Sequence, residues 1–229
     1  MAPEARSIGV MSDGVSASSP IISGHYPAGL EADERLRDGS HLRVRPIRDA
    51  DGAAMMAFHE TLSPRSVYRR FFFAHPHLSP GEVERFTTVD YVDRIAFVVI
   101  DGDQIVGVGR YERLEGSDEA EVAFVVTDAY QRRGIGALLL DHLAGAARPH
   151  GISRFMAHTL SENRDMLGVF LSSGFPVTMS SEGGTVSVRF PIAPCEEYLG
   201  ARNRRTFRAG SVPSAPEAVD GASPDALGR

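Results

Sequence analysis

There is no lysine in this chain of 229 residues; all 24 basic residues are arginine. A GC-rich genome, which also favours alanine, glycine and proline, accounts for the bias. Whatever its origin, the chain carries no side-chain amine of its own. Cysteine is nearly as scarce. The single Cys195 cannot close an internal disulfide and has no companions for a metal site, so a reducing, cytoplasmic compartment and no metal are expected. No run reaches the roughly 18 apolar residues a membrane helix needs. Met1–Asp13 carries Glu4, Arg6 and Asp13 and lacks the apolar stretch of a signal peptide. Positive charge is not in surplus either. A net charge of −6 argues against a nucleic-acid surface.

What is present describes a globular domain. Hydrophobic residues make up 42% and charged residues 24%, enough for a core. Residues 1–35 are rich in Ser, Gly, Pro and Ala, without periodicity, and read as a disordered tail. Residues 195–229 read the same way, with a basic patch at Arg202, Arg204, Arg205 and Arg208 expected to be solvated. The folded part is expected over residues 36–194, with no internal repeat.

Its elements follow from periodicity and caps. His41–Ile47 alternates as a strand. Asp49 caps a helix to about Thr61, Ser63-Pro64 caps one over Arg65–Phe73, and Ser79-Pro80 starts one over Gly81–Val89. Arg94–Ile100 and Gln104–Leu114 are strands joined by a hairpin turn at Asp101-Gly102-Asp103. Then come a strand over Glu119–Val126, a helix over Gly134–Ala147 and a strand over Ser153–His158. A helix over Asn163–Ser173 is closed by Gly174. Strands near Pro176–Ser180 and Thr185–Phe190 complete the chain. The class is α+β: a mixed, mostly antiparallel sheet with flanking helices and a central strand-helix-strand crossover.

The most specific feature lies at that crossover. Gln131-Arg132-Arg133-Gly134-Ile135-Gly136-Ala137 follows a strand and opens a helix. Unpaired N–H groups and the positive end of the helix dipole meet there, a ready site for a pyrophosphate. Gly134 and Gly136 let the backbone approach closely, and Arg132 and Arg133 add charge. There is no Gly-Lys-Ser/Thr, so this is not a Walker loop. The pattern Gln131-x-x-Gly134-x-Gly136 on a strand-to-helix turn resembles the acyl-CoA loop of the GNAT acetyltransferases. So do Glu162-Asn163-Arg164 and Leu171-Ser172-Ser173-Gly174-Phe175 downstream. Leu36–Gly39, Leu62–Phe71, Ala120–Phe124 and Glu162–Leu167 are similar to the GNAT module of bacterial protein lysine acetyltransferases, which switch off acyl-CoA synthetases. Some members of that group carry a further regulatory domain; with so short an N-terminal tail, none is expected in this sequence.

The resemblance implies acetyl-CoA as co-substrate and an amine as acceptor, a protein lysine in the closer subgroup. Such transfer needs a neutral amine, although a free lysine titrates near ~10.4. Glu121 interrupts an apolar strand, where a carboxylate is costly unless used or paired. Burial would raise its pKa towards that of a useful base, and in the family the general base lies at this point. The alternative is a structural pair with Arg110 or Arg154. Glu119, on the same face, and His158 stand behind it as candidates. By the resemblance, backbone N–H groups at Phe124, Val125 and Val126 face the pantetheine arm and the developing oxyanion. Asn163 either bonds the pantetheine amide or simply caps its helix. Phe170 takes the place where many members carry a tyrosine acid, and is expected against the arm. Tyr68, Arg69 and Arg70 either line the acceptor groove or divide between core and solvent. Two other readings stand beside lysine transfer: acetylation of a small or N-terminal amine, and a non-catalytic acyl-CoA sensor.

Overall fold

The chain folds around a single mixed sheet, which a computed structural model describes over residues 24–210. In chain order its elements are β1 (Ala32–Arg35), β2 (His41–Pro46), α1 (Gly52–Glu60), α2 (Pro64–Phe71), α3 (Pro80–Thr87), β3 (Arg94–Asp101), β4 (Gln104–Arg113) and β5 (Glu119–Val126). There follow α4 (Ile135–Ala147), β6 (Arg154–Leu160), α5 (Arg164–Leu171), β7 (Thr178–Glu182), β8 (Thr185–Pro191) and α6 (Glu196–Gly210). The strand order is β1-β2-β3-β4-β5-β6-β8-β7. Only β5 and β6 run parallel, joined by the α4 crossover; every other neighbouring pair is antiparallel.

Local chemistry sets the helix starts. Ser63 accepts from the Ser66 N–H at 3.2 Å with Pro64 in the first turn of α2. Ser79 and Glu82 close a capping box on α3. The cap expected at Asp49 is not made, and no side chain caps α1 among the described residues. Asp49–Asp51 is a 3-10 turn, and it is the Asp51 carboxylate that accepts the Arg48 N–H at 2.8 Å. Arg45 holds Asp51 through two 2.7 Å hydrogen bonds, which is why the inner acid is the one used.

The fold extends past residues 36–194 at both ends. β1 pairs with β2 from Ala32↔Val44 to Arg35↔His41. Its sequence, Ala-Asp-Glu-Arg, has no apolar alternation because it is an edge strand whose outer side meets no sheet. At the other end α6 replaces the expected disorder. Tyr198 is 1% exposed and stacks on Phe175 at 4.2 Å, and Arg205 Nη2 donates to both carboxylate oxygens of Asp141 at 2.9 Å. One member of the basic patch is therefore half-buried in an ion pair. The tails expected over residues 1–23 and 211–229 lie outside the described residues. Among the described residues no helix is long and apolar enough to cross a membrane.

Candidate active site

β5 and β6 pair only at Glu119↔Arg154, Ala120↔Phe155 and Glu121↔Met156, then part. The Thr127 N–H donates to Val106 of β4 at 3.0 Å. Because strand groups alternate, the N–H groups of Val125 and Ala123 also face β4. Those of Phe124 and Val126, beyond the last β5–β6 pair, face the gap. The split thus bares one row of backbone donors and acceptors along the upper half of β5.

A cavity of about 870 Å³ runs from this gap over the start of α4. Phe124, Val125, Val126, Gln131, Arg132, Arg133, Gly134, Ile135, Gly136, Ala137 and Asn163 all line it, so residues singled out on three separate elements converge. Arg132 at φ +60° and Gly134 at φ +96° turn the loop twice through the left-handed region, which aims successive N–H groups to one side. No side chain caps α4, leaving the N–H groups of its first turn free for an anion. A Cβ on Gly134 would meet nothing within 4 Å, so the space beside the loop is open; one on Gly136 would press on Val169 Cγ2 at 3.0 Å. Open space, free donors and a helix dipole together suit a pyrophosphate.

The side chains divide the labour differently from the sequence reading. Arg133 is engaged: its Nε donates to Asp38 at 2.7 Å and its Nη2 to Ser40 at 2.9 Å, while the guanidinium stacks 4.7 Å from the Tyr130 ring centroid. Arg132 is exposed and is an available cation at the mouth, as is Arg37. Asn163 is buried and accepts the Met166 N–H at 3.3 Å, a helix cap at the groove wall. Phe170 departs from expectation. It is 1% exposed and packs on Phe124 and Phe190 at 6.1 and 5.7 Å, inside the core rather than along the groove. Its helix turns it inward because the Leu171 side of α5 takes the solvent, at 66% exposure. Tyr68 is 48% exposed, while Arg69 and Arg70 line the groove.

Glu121 sits where β5 and β6 part, on the sheet face towards α2. The pairing partners weighed for it are otherwise occupied. Arg154 bonds Glu119 at 2.8 Å and Asp118 at 2.9 Å, which also ties up Glu119. Arg110 donates to the Phe86 carbonyl at 2.8 Å. Burial pushes the Glu121 carboxyl above its ordinary value against the pull of His158 and Arg70, and Glu112 adds to the push. His158 Nδ1 meets Ser187 Oγ at 3.1 Å, so it has a structural partner.

Two contributors, Asp128 and Ser66, escaped the sequence reading. Asp128 accepts from the Ser63 N–H at 3.0 Å, Ser63 Oγ at 2.8 Å and Ser66 Oγ at 3.0 Å. Gln131 donates to Ser66 Oγ. This cluster fastens α2 to the loop. Its one sequence signal is Ser63 as a helix cap; the partners lie more than 60 residues apart.

Comparisons with known proteins point to one family. The model of the acetyltransferase (GNAT) family matches residues 63–175. An acetyltransferase of Pseudomonas aeruginosa is 32% identical over 155 residues, 65% of this chain and 83% of that protein. Acetyltransferase Pat of Mycolicibacterium smegmatis is 28% identical over 190 residues, 81% of this chain and 52% of that protein, so the chain spans about half its length. The crystal structure of the GNAT domain of S. lividans PAT matches with a TM-score of 0.69 at 42% identity, covering 73% of this chain and 99% of that one. The chain belongs to the GNAT family of acetyltransferases.

Proposed function

We propose that the chain acetylates a lysine side chain of another protein, such as an acyl-CoA synthetase, with Glu121 as general base. Acetyl-CoA supplies the acetyl group as a thioester, whose thiol is a fair leaving group at a pKa of roughly 8.5 by analogy with cysteine. No dedicated acid is then required, and the buried Phe170 supplies none.

The observation that carries this reading is a half-buried carboxylate with no ion pair among the described residues, placed where the two parallel strands separate. A raised pKa brings Glu121 closer to the amine whose proton it takes, directly or through one water. The first turn of α4 and the Arg132 side chain would hold the pyrophosphate. The gap-facing N–H groups of Phe124 and Val126 would pair with the pantetheine amides and face the developing negative charge. The similarity of Leu62–Phe71 and Ala120–Phe124 to protein lysine acetyltransferases supports a lysine acceptor.

The test is incubation with acetyl-CoA and an acyl-CoA synthetase whose active-site lysine is intact, with free thiol followed and modified residues mapped by mass spectrometry. Acetylation of that lysine with loss of synthetase activity is the expected result. An unmodified synthetase beside efficient acetylation of a polyamine would reject the protein substrate and leave a small-amine acetyltransferase.

A further inference from the structure

Two arginines on the α1–α3 side of the sheet have no carboxylate at ion-pair distance among the described residues. Arg110 lies on β4 opposite Ala123 of β5 and is 8% exposed. Its partners are neutral: the Phe86 carbonyl at 2.8 Å and the Phe86 ring, 4.5 Å from the guanidinium carbon. Arg70 reaches in from α2 and stands 5.1 Å from the Phe71 ring centroid. Both line a cavity of about 30 Å³ whose other walls, such as Phe58, Val108 and Val125, are mainly apolar. That is room for a group of a few atoms. Arg70 also lines the large groove, so it forms part of both spaces. Glu121 lies two residues along β5 from Ala123, on the same face.

Two like charges converging on one small apolar cavity are costly to bury. Burial pushes Arg110 down to about 9, and Arg70, Arg94 and Arg85 push the same way. Relief is limited: Glu112 already faces Arg85 at 3.8 Å and Arg94 at 3.9 Å, and Glu121, whose charge favours the Arg70 cation, makes no ion pair with it among the described residues. An anion between Arg70 and Arg110 would offset both penalties, and the guanidinium fork matches a carboxylate in shape as well as charge.

We propose that Arg70 and Arg110 form a subsite for a carboxylate carried by a reacting partner. That carboxylate comes either from the acceptor, close to its amine, or from the far end of a dicarboxylic acyl group. The proposal rests on Glu121 marking the reacting centre.

The test compares kcat/KM in two arms, using the full chain. In the first arm acetyl-CoA is the donor, and the acceptors are a lysine peptide with a neighbouring aspartate and a small amino acid, each against its carboxamide counterpart. In the second, succinyl-CoA is compared with butyryl-CoA on one neutral amine. The carboxylate form is expected to be favoured about tenfold or more in one arm. The ratio should fall to about 1 in Arg70→Met and Arg110→Met and recover in part in Arg70→Lys. If Arg110→Met fails to fold, the two Arg70 variants carry the test. Parity in both arms, or a preference that survives Arg70→Met, overturns the subsite. Failure of the general-base reading would look different, because Glu121→Gln would then turn over every acceptor as the parent does.

Discussion

Gln131 and Ser66 are joined by a 2.9 Å hydrogen bond that spans 65 positions of sequence. The same amide donates to the Val126 carbonyl at 3.0 Å, so one side chain links the loop, the free edge of β5 and helix α2. Ser66 is one helical turn before Arg70, on the same face. The hydrogen bond thus ties the loop to the helix that carries Arg70, one of the cations acting on Glu121.

Asp128→Ala tests this linkage. It removes the acceptor of three hydrogen bonds from Ser63 and Ser66. A loss of about 1–3 kcal/mol is expected, read as a lower melting temperature, with a raised KM for acetyl-CoA as α2 loosens. Burial pushes the Asp128 carboxyl up, but the hydrogen bonds from Ser63 and Ser66 outweigh it and hold it below its ordinary value. A depressed carboxylate stabilises above its unfolded pKa and ceases to do so as pH falls through the folded one. The gap between Asp128→Ala and the parent should shrink in acid; a gap that grew would contradict the assignment.

Gly134→Asp tests the anion site. The backbone there is at φ +96° with open space at the Cβ position, and aspartate tolerates the left-handed region better than most residues. The fold should survive while a negative charge occupies the anion's place. Calorimetry is expected to show loss of acetyl-CoA binding with an unchanged circular dichroism spectrum. Unchanged affinity would place the ligand elsewhere.

Glu121→Gln should lower turnover by about 10²–10⁴-fold with little effect on acetyl-CoA affinity. The deficit should narrow as pH rises towards the ~10.4 of a free lysine, because the acceptor then arrives neutral. Stability moves the other way. Burial raises this carboxyl, so the folded state holds its proton more tightly than the unfolded one, and stability falls as pH climbs from the ordinary carboxylate value through the raised one. The glutamine variant is expected to melt above the parent at neutral pH and level with it in acid. A lower melting temperature at neutral pH would indicate that Glu121 is a structural partner.

Tyr198→Ala tests whether α6 belongs to the folded unit. Removing a ring that is 1% exposed and stacked on Phe175 should cost about 3–5 kcal/mol, seen in urea denaturation. A loss below about 1 kcal/mol would mean that α6 is loosely attached.

Much of the fold was legible because this chain marks its boundaries locally. Ser63-Pro64, Ser79-Pro80 and the Asp101-Gly102-Asp103 turn each state a start or a stop, and the strand over Glu119–Val126 was read to the residue. β1 and α6 were not legible for opposite reasons. Four residues of an edge strand give no apolar period, and α6 shows few apolar anchors, notably Tyr198 and Ala201, among charged and polar residues. The loop and Glu121 were visible because glycine spacing and a lone carboxylate in an apolar strand are properties of short stretches. Phe170 was misplaced because rotation of a helix about its axis is decided by what packs on it. The Asp128 clamp and the meeting of Arg70 with Arg110 depend on chain segments brought together by the sheet, which no local pattern encodes.

Where β5 and β6 part, the sheet has an edge in its interior. Edges of this kind recruit other strands, and proteins usually shield them with charge or cover. Here α2 and α5 face one another beside it, linked by Arg69 and Asp165 at 3.4 Å. A second polypeptide strand, with side chains on both faces, would have to break that contact to pair with β5. A slender amide-bearing chain that projects nothing to either side meets no such obstacle. The expected consequence of the split is selection by width, with partners sorted by their cross-section before any charge or hydrogen bond discriminates among them.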